Sequence, residues 1–373
     1  MRYIEQLRLT DFRSYPALDI SFSGAPVVLF GENGAGKTNL LEAISFLSPG
    51  RGIRRAKVDD LARRHEGIIA PAWGITAALG GVDLPVKLAV GQVPEYPKRR
   101  QIRIDDKAAS GTALAEHMTM MWLTPAQDRL FVGPASDRRK FLDRFTLVHA
   151  PHHGFSSLRY EKLRTERNRL LSEGITDAAW YEALEVDMAE HGANIAIARA
   201  KTANLLIAEL ADQADSAFPR AGLNIEGAAE NHAQNGWETD EIADFIRQNL
   251  EANRPLDMRA GRTLNGIHKS DFLVTHLDKN MPAADCSTGE QKALLISLIL
   301  AHARAQSDRA PLLLLDEVAA HLDKHRRAAL TEHLLALKTQ LFMTGTDQNL
   351  FDSFGHDAEI FHVENGQLKL KST

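Results

Sequence analysis

Eight residues near the start of the chain, Gly31-Glu32-Asn33-Gly34-Ala35-Gly36-Lys37-Thr38, have the composition of a phosphate cradle. Glycines let backbone N–H groups turn inward around phosphate oxygens, and a helix starting at the end of the loop adds the positive end of its dipole. In this pattern Lys37 reaches the β- and γ-phosphates and the Thr38 hydroxyl ligates Mg²⁺. A second stretch, Leu312-Leu313-Leu314-Leu315-Asp316-Glu317, reads as a buried strand ending in two carboxylates. Asp316 then belongs beside the same Mg²⁺, and Glu317 suits a general base that polarises the attacking water. The two segments together point to hydrolysis of a nucleoside triphosphate.

A third segment decides the subclass. Ser287-Thr288-Gly289-Glu290-Gln291 precedes an apolar helical run and lies 25 residues before Leu312. By itself it is a helix cap. In its order between phosphate loop and carboxylate strand it resembles the LSGGQ signature of ABC ATPases, with Cys286 where Leu is usual. Ala320-His321-Leu322-Asp323 matches the D-loop pattern of the same family. The resemblance implies ATP as ligand, with Ser287, Gly289 and Asp323 near nucleotide. Gln127 stands at the Q-loop position and is a candidate for a Mg²⁺ or water contact. The family's switch histidine has no counterpart in Met343-Thr344-Gly345-Thr346-Asp347. The lone His268 and His321 read as surface or capping residues rather than catalytic ones.

These groups must be carried by recognisable elements. Residues 3–10 and 17–23 alternate apolar and polar around Arg13–Pro16, which predicts a hairpin. Pro26–Phe30 is a short buried strand that delivers the phosphate loop, and a helix begins at Thr38. Gly74–Leu79, Leu84–Val90 and Gln101–Ile104 alternate between Gly/Pro breaks and predict an antiparallel sheet layer. From Ser136 the pattern turns helical, with three- and four-residue spacing over Arg159–Leu171 and Ala178–Leu210 that reads as core. Residues 224–240 carry no clear pattern, and Glu241–Glu251 reads as a short helix. Gln291–Arg304 is a buried helix, and Pro311–Leu315 and Leu341–Met343 are strands. Because Thr38 and Asp316 must meet at one metal ion, residues 1–150 and 258–373 form one ATPase lobe around an inserted, mainly helical lobe at 151–257. The expected fold is therefore α/β: an ABC-type P-loop ATPase lobe with an antiparallel sheet layer, plus that insertion.

No apolar run in the 373 residues approaches the roughly 20 needed to span a bilayer, and MRYIEQLRLTDF lacks a signal-peptide design. One cysteine, Cys286, excludes internal disulfides and cysteine-built zinc sites. The expectation is a cytoplasmic protein that begins at Met1. The net charge of −5 gives no global attraction to nucleic acid, yet residues 1–150 hold 21 Lys+Arg against 16 Asp+Glu. Their bases cluster at Arg51/Arg54/Arg55/Lys57, at Lys98–Arg103 and at Arg138–Lys140. Such clusters neutralise phosphates locally, and Arg51, Arg54, Arg55 and Lys57, just past the phosphate-loop helix, are the first candidates for DNA contacts.

The segments in order, without a long coiled coil, resemble the RecF family, the bacterial recombinational-repair relatives of SMC proteins. The likeness includes Leu7-x-Leu9-x-x-Phe12-Arg13, GENGAGKTNLLEAI, Leu123–Leu130, Gly133–Asp143, Tyr160-x-x-Leu163-x-x-x-Arg167-Asn168 and Gly266-x-His268-x-x-Asp271. Gln127, Ile267 and Ser270 depart from the usual residues. The resemblance implies an ATP- and Mg²⁺-dependent homodimer, each site completed by Ser287 and Gly289 of the other copy. It also implies binding of double-stranded and gapped DNA, slow DNA-stimulated ATP hydrolysis, RecR and RecO as partners, and RecA loading as the indirect outcome. A transporter subunit is disfavoured by the 250 residues between Lys37 and Ser287, and a small-molecule kinase has no use for the signature.

Overall fold

The computed structural model describes residues 2–81, 84–211, 217–305, 311–320 and 322–371. The chain divides into two compact units: Met1–Asp128 with Asp215–Phe218 and Gln306–Thr373, and Arg129–Ala214 with Pro219–Ala305.

In the first unit the strands form two six-stranded sheets and the small pair Arg64–His65 and Ile68–Ile69. One has the order Met120–Leu123, Leu312–Leu315, Leu341–Gly345, Val27–Phe30, Glu359–Glu364, Gln367–Leu370; all neighbours are parallel except the last pair. Continuous apolar runs such as Leu312–Leu315 suit a parallel sheet covered on both faces. The other sheet is antiparallel: Tyr15–Ser21, Tyr3–Phe12, Gly74–Gly80, Val86–Gln92, Arg100–Ile104, Lys107–Ala108. A register shift between Ile4 and Gln6 inserts one residue, so Ile4 and Leu7 both face the core despite their odd spacing. The buried Gln340 side chain clamps the two sheets, accepting from Ile4 N at 2.8 Å and donating to Ile4 O at 3.1 Å. Between them lies the phosphate-loop helix Lys37–Ser45, packed with Phe12, Phe46 and Trp73 in one apolar core.

The second unit is built on a 34-residue helix, Ala178–Ala211. Its buried Ala189, Gly192, Ala193, Ala196, Ala200 and Ala203 form a flat stripe that lets neighbouring helices approach closely. A Cβ at Gly192 would stand 3.0 Å from Ile246. Helices Ala135–His149, His153–Ser172, Thr239–Ala260 and Thr288–Arg304 pack around it.

The expected hairpin, phosphate-loop strand, sheet layer and long helices are present. Three features differ in detail from the sequence reading. The compact units divide near 128 and 305, where Ala135–His149 and Thr288–Arg304 pack on the long helix, whereas the expected bounds of the insertion lay at 150 and 258. The second unit also holds a three-stranded sheet, Ala221–Glu226, Asp271–His276 and Met281–Pro282. Finally, the helix expected to end at Glu251 runs to Ala260 through Pro255. Its last turns are pinned by Asp257, which accepts from Arg167 at 2.7 Å.

Candidate functional site

The loop after Val27–Phe30 turns through Gly31, Gly34 and Gly36, with φ of +149°, +85° and +111°. A side chain is excluded at two of them: a Cβ at Gly31 would meet Val363 O at 2.4 Å, and one at Gly36 would meet Ser14 Oγ at 2.7 Å. The buried Tyr15 hydroxyl donates to Gly36 O at 3.0 Å, and Asn39 donates to Ser14 Oγ at 2.9 Å. The loop is thus braced by the antiparallel sheet. Glu32, Asn33 and Gly34 are exposed at its tip, and Ala35 is half-buried. Lys37 donates to Gly31 O at 2.6 Å and Glu32 O at 2.8 Å. Burial lowers its ammonium below the ordinary lysine value, against the opposing pull of Glu317 and Asp316.

The carboxylates reach this loop through strand order. Thr344 lies on the strand between that of the loop and that of the carboxylates, level with Leu29, while Leu315 pairs with Met343. Its hydroxyl donates to Asp316 Oδ1 at 2.6 Å and accepts from the Glu317 N–H at 2.9 Å. Thr38 donates to the same Asp316 oxygen at 3.0 Å. Glu317 has φ of +50°, a conformation that costs an L-residue roughly 1–2 kcal/mol, and the Thr344 contact helps to hold it. One hydroxyl and one buried carboxylate converge, a donor set that suits Mg²⁺ shared with phosphates. Among the described residues no cluster of three or more His, Cys, Asp or Glu could hold a metal by itself. Gln127 follows the Met120–Leu123 strand, and its side-chain oxygen accepts from Thr124 N at 3.0 Å. It therefore serves a local cap here.

In the other unit Ser287 caps helix Thr288–Arg304. Glu290 Oε2 accepts from Ser287 N at 2.9 Å and from its hydroxyl at 2.8 Å. Lys279 pairs with Glu290 and, with the Ser287 bonds, draws its carboxyl down to about 2. Ser287, Thr288 and Gly289 are exposed, and a Cβ at Gly289 would meet nothing within 4 Å. Asp323 is the N-cap of helix Lys324–Ala336, accepting from Arg326 N at 2.9 Å. His321 lies outside the described residues.

The basic clusters separate. Arg54 bonds Asn39 at 2.8 Å and the fully buried Glu42 at 3.2 Å, where Arg13 also binds bidentately. Arg51, Arg55 and Lys57 are exposed. Of the third cluster, Arg138 grips Asp271 at 2.6 and 2.7 Å and Arg139 donates to Ser270 O at 2.6 Å. Those two arginines are structural. So is His268, held between Tyr160 Oη at 3.1 Å and Thr263 O at 3.3 Å, and lowered by burial to about 3. Thr344, Tyr15 and Glu42 were invisible as site residues, because only strand and helix adjacency brings them to the loop.

Comparison with known proteins shows the family and the fold. Residues 3–369 match the family model for the RecF/RecN/SMC N terminal domain. The chain is 48% identical over 370 residues to the DNA replication and repair protein RecF of Brucella suis, covering 98% of this chain and 95% of that one. Against RecF of Caulobacter vibrioides it is 46% identical, covering 93% and 92%. The fold is that of the recombination mediator protein RecF–ATP structure, with a TM-score of 0.83 at 23% identity over 99% of both chains. It is shared more distantly by an Smc head domain from Pyrococcus furiosus, at a TM-score of 0.59 and 16% identity over 100% and 96% of the chains. With phosphate loop, paired carboxylates and signature in one order along nearly the whole length, this chain belongs to the RecF family of DNA replication and repair proteins, among the ABC-type ATPases.

Proposed function

We propose that the protein is an ATP-dependent DNA clamp that dimerises on ATP, hydrolyses it slowly under stimulation by DNA, and helps load RecA at gapped and single-strand–double-strand junctions. The observation that carries this reading is the Thr38–Asp316–Thr344–Glu317 constellation beside the Lys37 loop. Bound Mg²⁺·ATP supplies the transferable phosphoryl group. Lys37 and the N–H groups of residues 31–38 would hold its phosphates, Thr38 and Asp316 would hold the metal ion, and Gln127, which here caps Thr124, would contact that ion or its water. Glu317 orients the attacking water and takes its proton. A cavity of about 730 Å³ lined by Arg13, Ser14, Asn39 and Arg54 beside the loop has room for the nucleoside.

Ser287 and Gly289 act in trans. Their exposure at the start of a 17-residue helix supports contact with the γ-phosphate held by a second copy. Asp323 lies near that junction by family likeness. Arg51, Arg54, Arg55 and Lys57 supply DNA contacts, with Arg54 restrained by Glu42. RecR and RecO are the partners the relatives imply, since the solved relative is described in the RecFOR pathway. Among the described residues no helix is long and apolar enough to cross a membrane, which suits a cytoplasmic DNA-repair role.

Sedimentation with and without ATP tests the reading. Glu317→Gln protein should bind nucleotide, dimerise and accumulate as the dimer, with hydrolysis reduced about 10²–10⁴-fold. Adding Ser287→Arg to the same chain should abolish the dimer while monomer nucleotide affinity stays within a few-fold. Dimers that survive Ser287→Arg would refute the trans-acting signature.

A further inference from the structure

Two basic clusters far apart in sequence converge. Arg51 and Lys57, from the segment after the phosphate-loop helix, line one cavity of about 560 Å³ with Lys98 and Arg100, from the start of strand Arg100–Ile104. Arg100 joins the two segments: it donates to Gly50 O at 2.7 Å, and its guanidinium lies 5.6 Å from the centre of the Phe46 ring. Burial lowers the pKa of its guanidinium below that of an ordinary arginine, and the group stays charged. Only Asp59 among the lining residues carries negative charge, against four cations. Arg51, Lys57 and Lys98 have no carboxylate partner among the described residues. Other basic side chains of the molecule are held by carboxylates: Arg54 by Glu42, Arg138 by Asp271, Arg199 by Asp143 and Glu230. Four converging cations repel one another, and an anion in their midst removes that cost.

We infer that this cavity is a seat for the phosphodiester backbone of duplex DNA. The inference rests on the reading that the protein acts on DNA, and it narrows the contact to named residues. Phe46 is the aromatic ring of the lining, and it is buried beneath Arg100. The seat therefore has no exposed ring face on which a base could stack, whereas the cationic lining suits a phosphate track that is read without regard to sequence. Arg51, Lys57 and Lys98 are exposed at the rim, able to follow successive phosphates, and Arg100 marks the floor. Arg54 and Arg55 are not among the lining residues. The strand's alternation also separates Arg103 from the seat, because it projects from the opposite face to Arg100.

The test uses full-length protein with ATP and a mixed-sequence duplex, with binding followed by fluorescence anisotropy from low to moderate salt. Lys57→Gln/Lys98→Gln should weaken duplex binding for every sequence tried and flatten the slope of log K against log salt by about 1.8, two phosphate contacts at about 0.9 each. Arg100→Gln should weaken binding as well, while Arg100→Lys retains part of it. Arg103→Gln, with the same loss of charge, should leave the slope unchanged. Nucleotide affinity without DNA should match wild type in all four proteins. Wild-type binding with an unaltered slope in the double variant would move the seat elsewhere and leave the DNA reading intact. Absence of any wild-type DNA binding would overturn both. Displacement of DNA by millimolar inorganic phosphate, at unchanged ionic strength, would identify a free-anion site instead.

Discussion

The charges in the core of the helical unit and those at the phosphate loop are handled in opposite ways. In the helical unit Arg167 is fully buried and its donors are spent on Glu185 at 3.0 Å, Asp257 at 2.7 Å, Thr263 at 2.9 Å and Leu250 O at 3.0 Å. Arg199 is likewise enclosed by Asp143, Glu230 and Ile267 O. At the phosphate loop, by contrast, Lys37 rests on two backbone carbonyls and Asp316 on two hydroxyls. Neither charge there has its opposite within bonding range among these contacts. Both regions carry family motifs of equal prominence, so a motif rich in charge is not by itself a site. A saturated network holds a fold together, and an unsaturated one is prepared for a ligand.

The largest effect that could break this contrast is on stability. Arg167→Met should destabilise the protein by about 3–5 kcal/mol in urea denaturation, since it strands buried carboxylates. A loss below about 1 kcal/mol would mean that the network contributes little, and that its arginine is retained for another purpose.

A smaller effect belongs to the loop side. Thr344→Val keeps the shape but removes the bonds to Asp316 and to the Glu317 N–H. Bonds to charged groups contribute roughly 1.5–3 kcal/mol, so steady-state hydrolysis should fall about 10–100-fold with much less change in nucleotide affinity. Thr344→Ser should restore most of the rate. If the valine protein hydrolyses ATP normally, Asp316 and Glu317 are placed by the backbone alone.

The smallest effect concerns a buried histidine. His302 is fully buried, stacked on Phe145 with its Nε2 3.1 Å from Phe145 O, and burial, helped by His149, lowers it to about 3. The unfolded chain takes up this proton near pH 6.5 and the folded chain does not. Its contribution is therefore whole above pH 6.5 and is lost by up to about 1.4 kcal/mol per pH unit below it. Denaturation midpoints of wild type and His302→Gln between pH 7 and 5 should diverge accordingly. Parallel curves would show that the folded protein accepts the proton.

What the sequence determined by itself was local. Positive φ angles favour glycine at Gly31, Gly34 and Gly36, an apolar run ending in Asp316-Glu317 makes a buried strand with its carboxylates at the tip, and Ser287 with Glu290 makes a capping box. Each rests on neighbours within a few residues, so spacing alone reveals it. Tertiary structure decided what those segments meet. Thr344 became a support for both carboxylates only because its strand was inserted between two others. Arg54 was withdrawn to Glu42, Arg138 to Asp271, and Arg51 and Lys57 were joined by Lys98 and Arg100. A cationic side chain reads the same in sequence whether it ends against a buried carboxylate or in open solvent. The difference lies in which distant acid the fold brings within about 3 Å, and periodicity does not encode that distance.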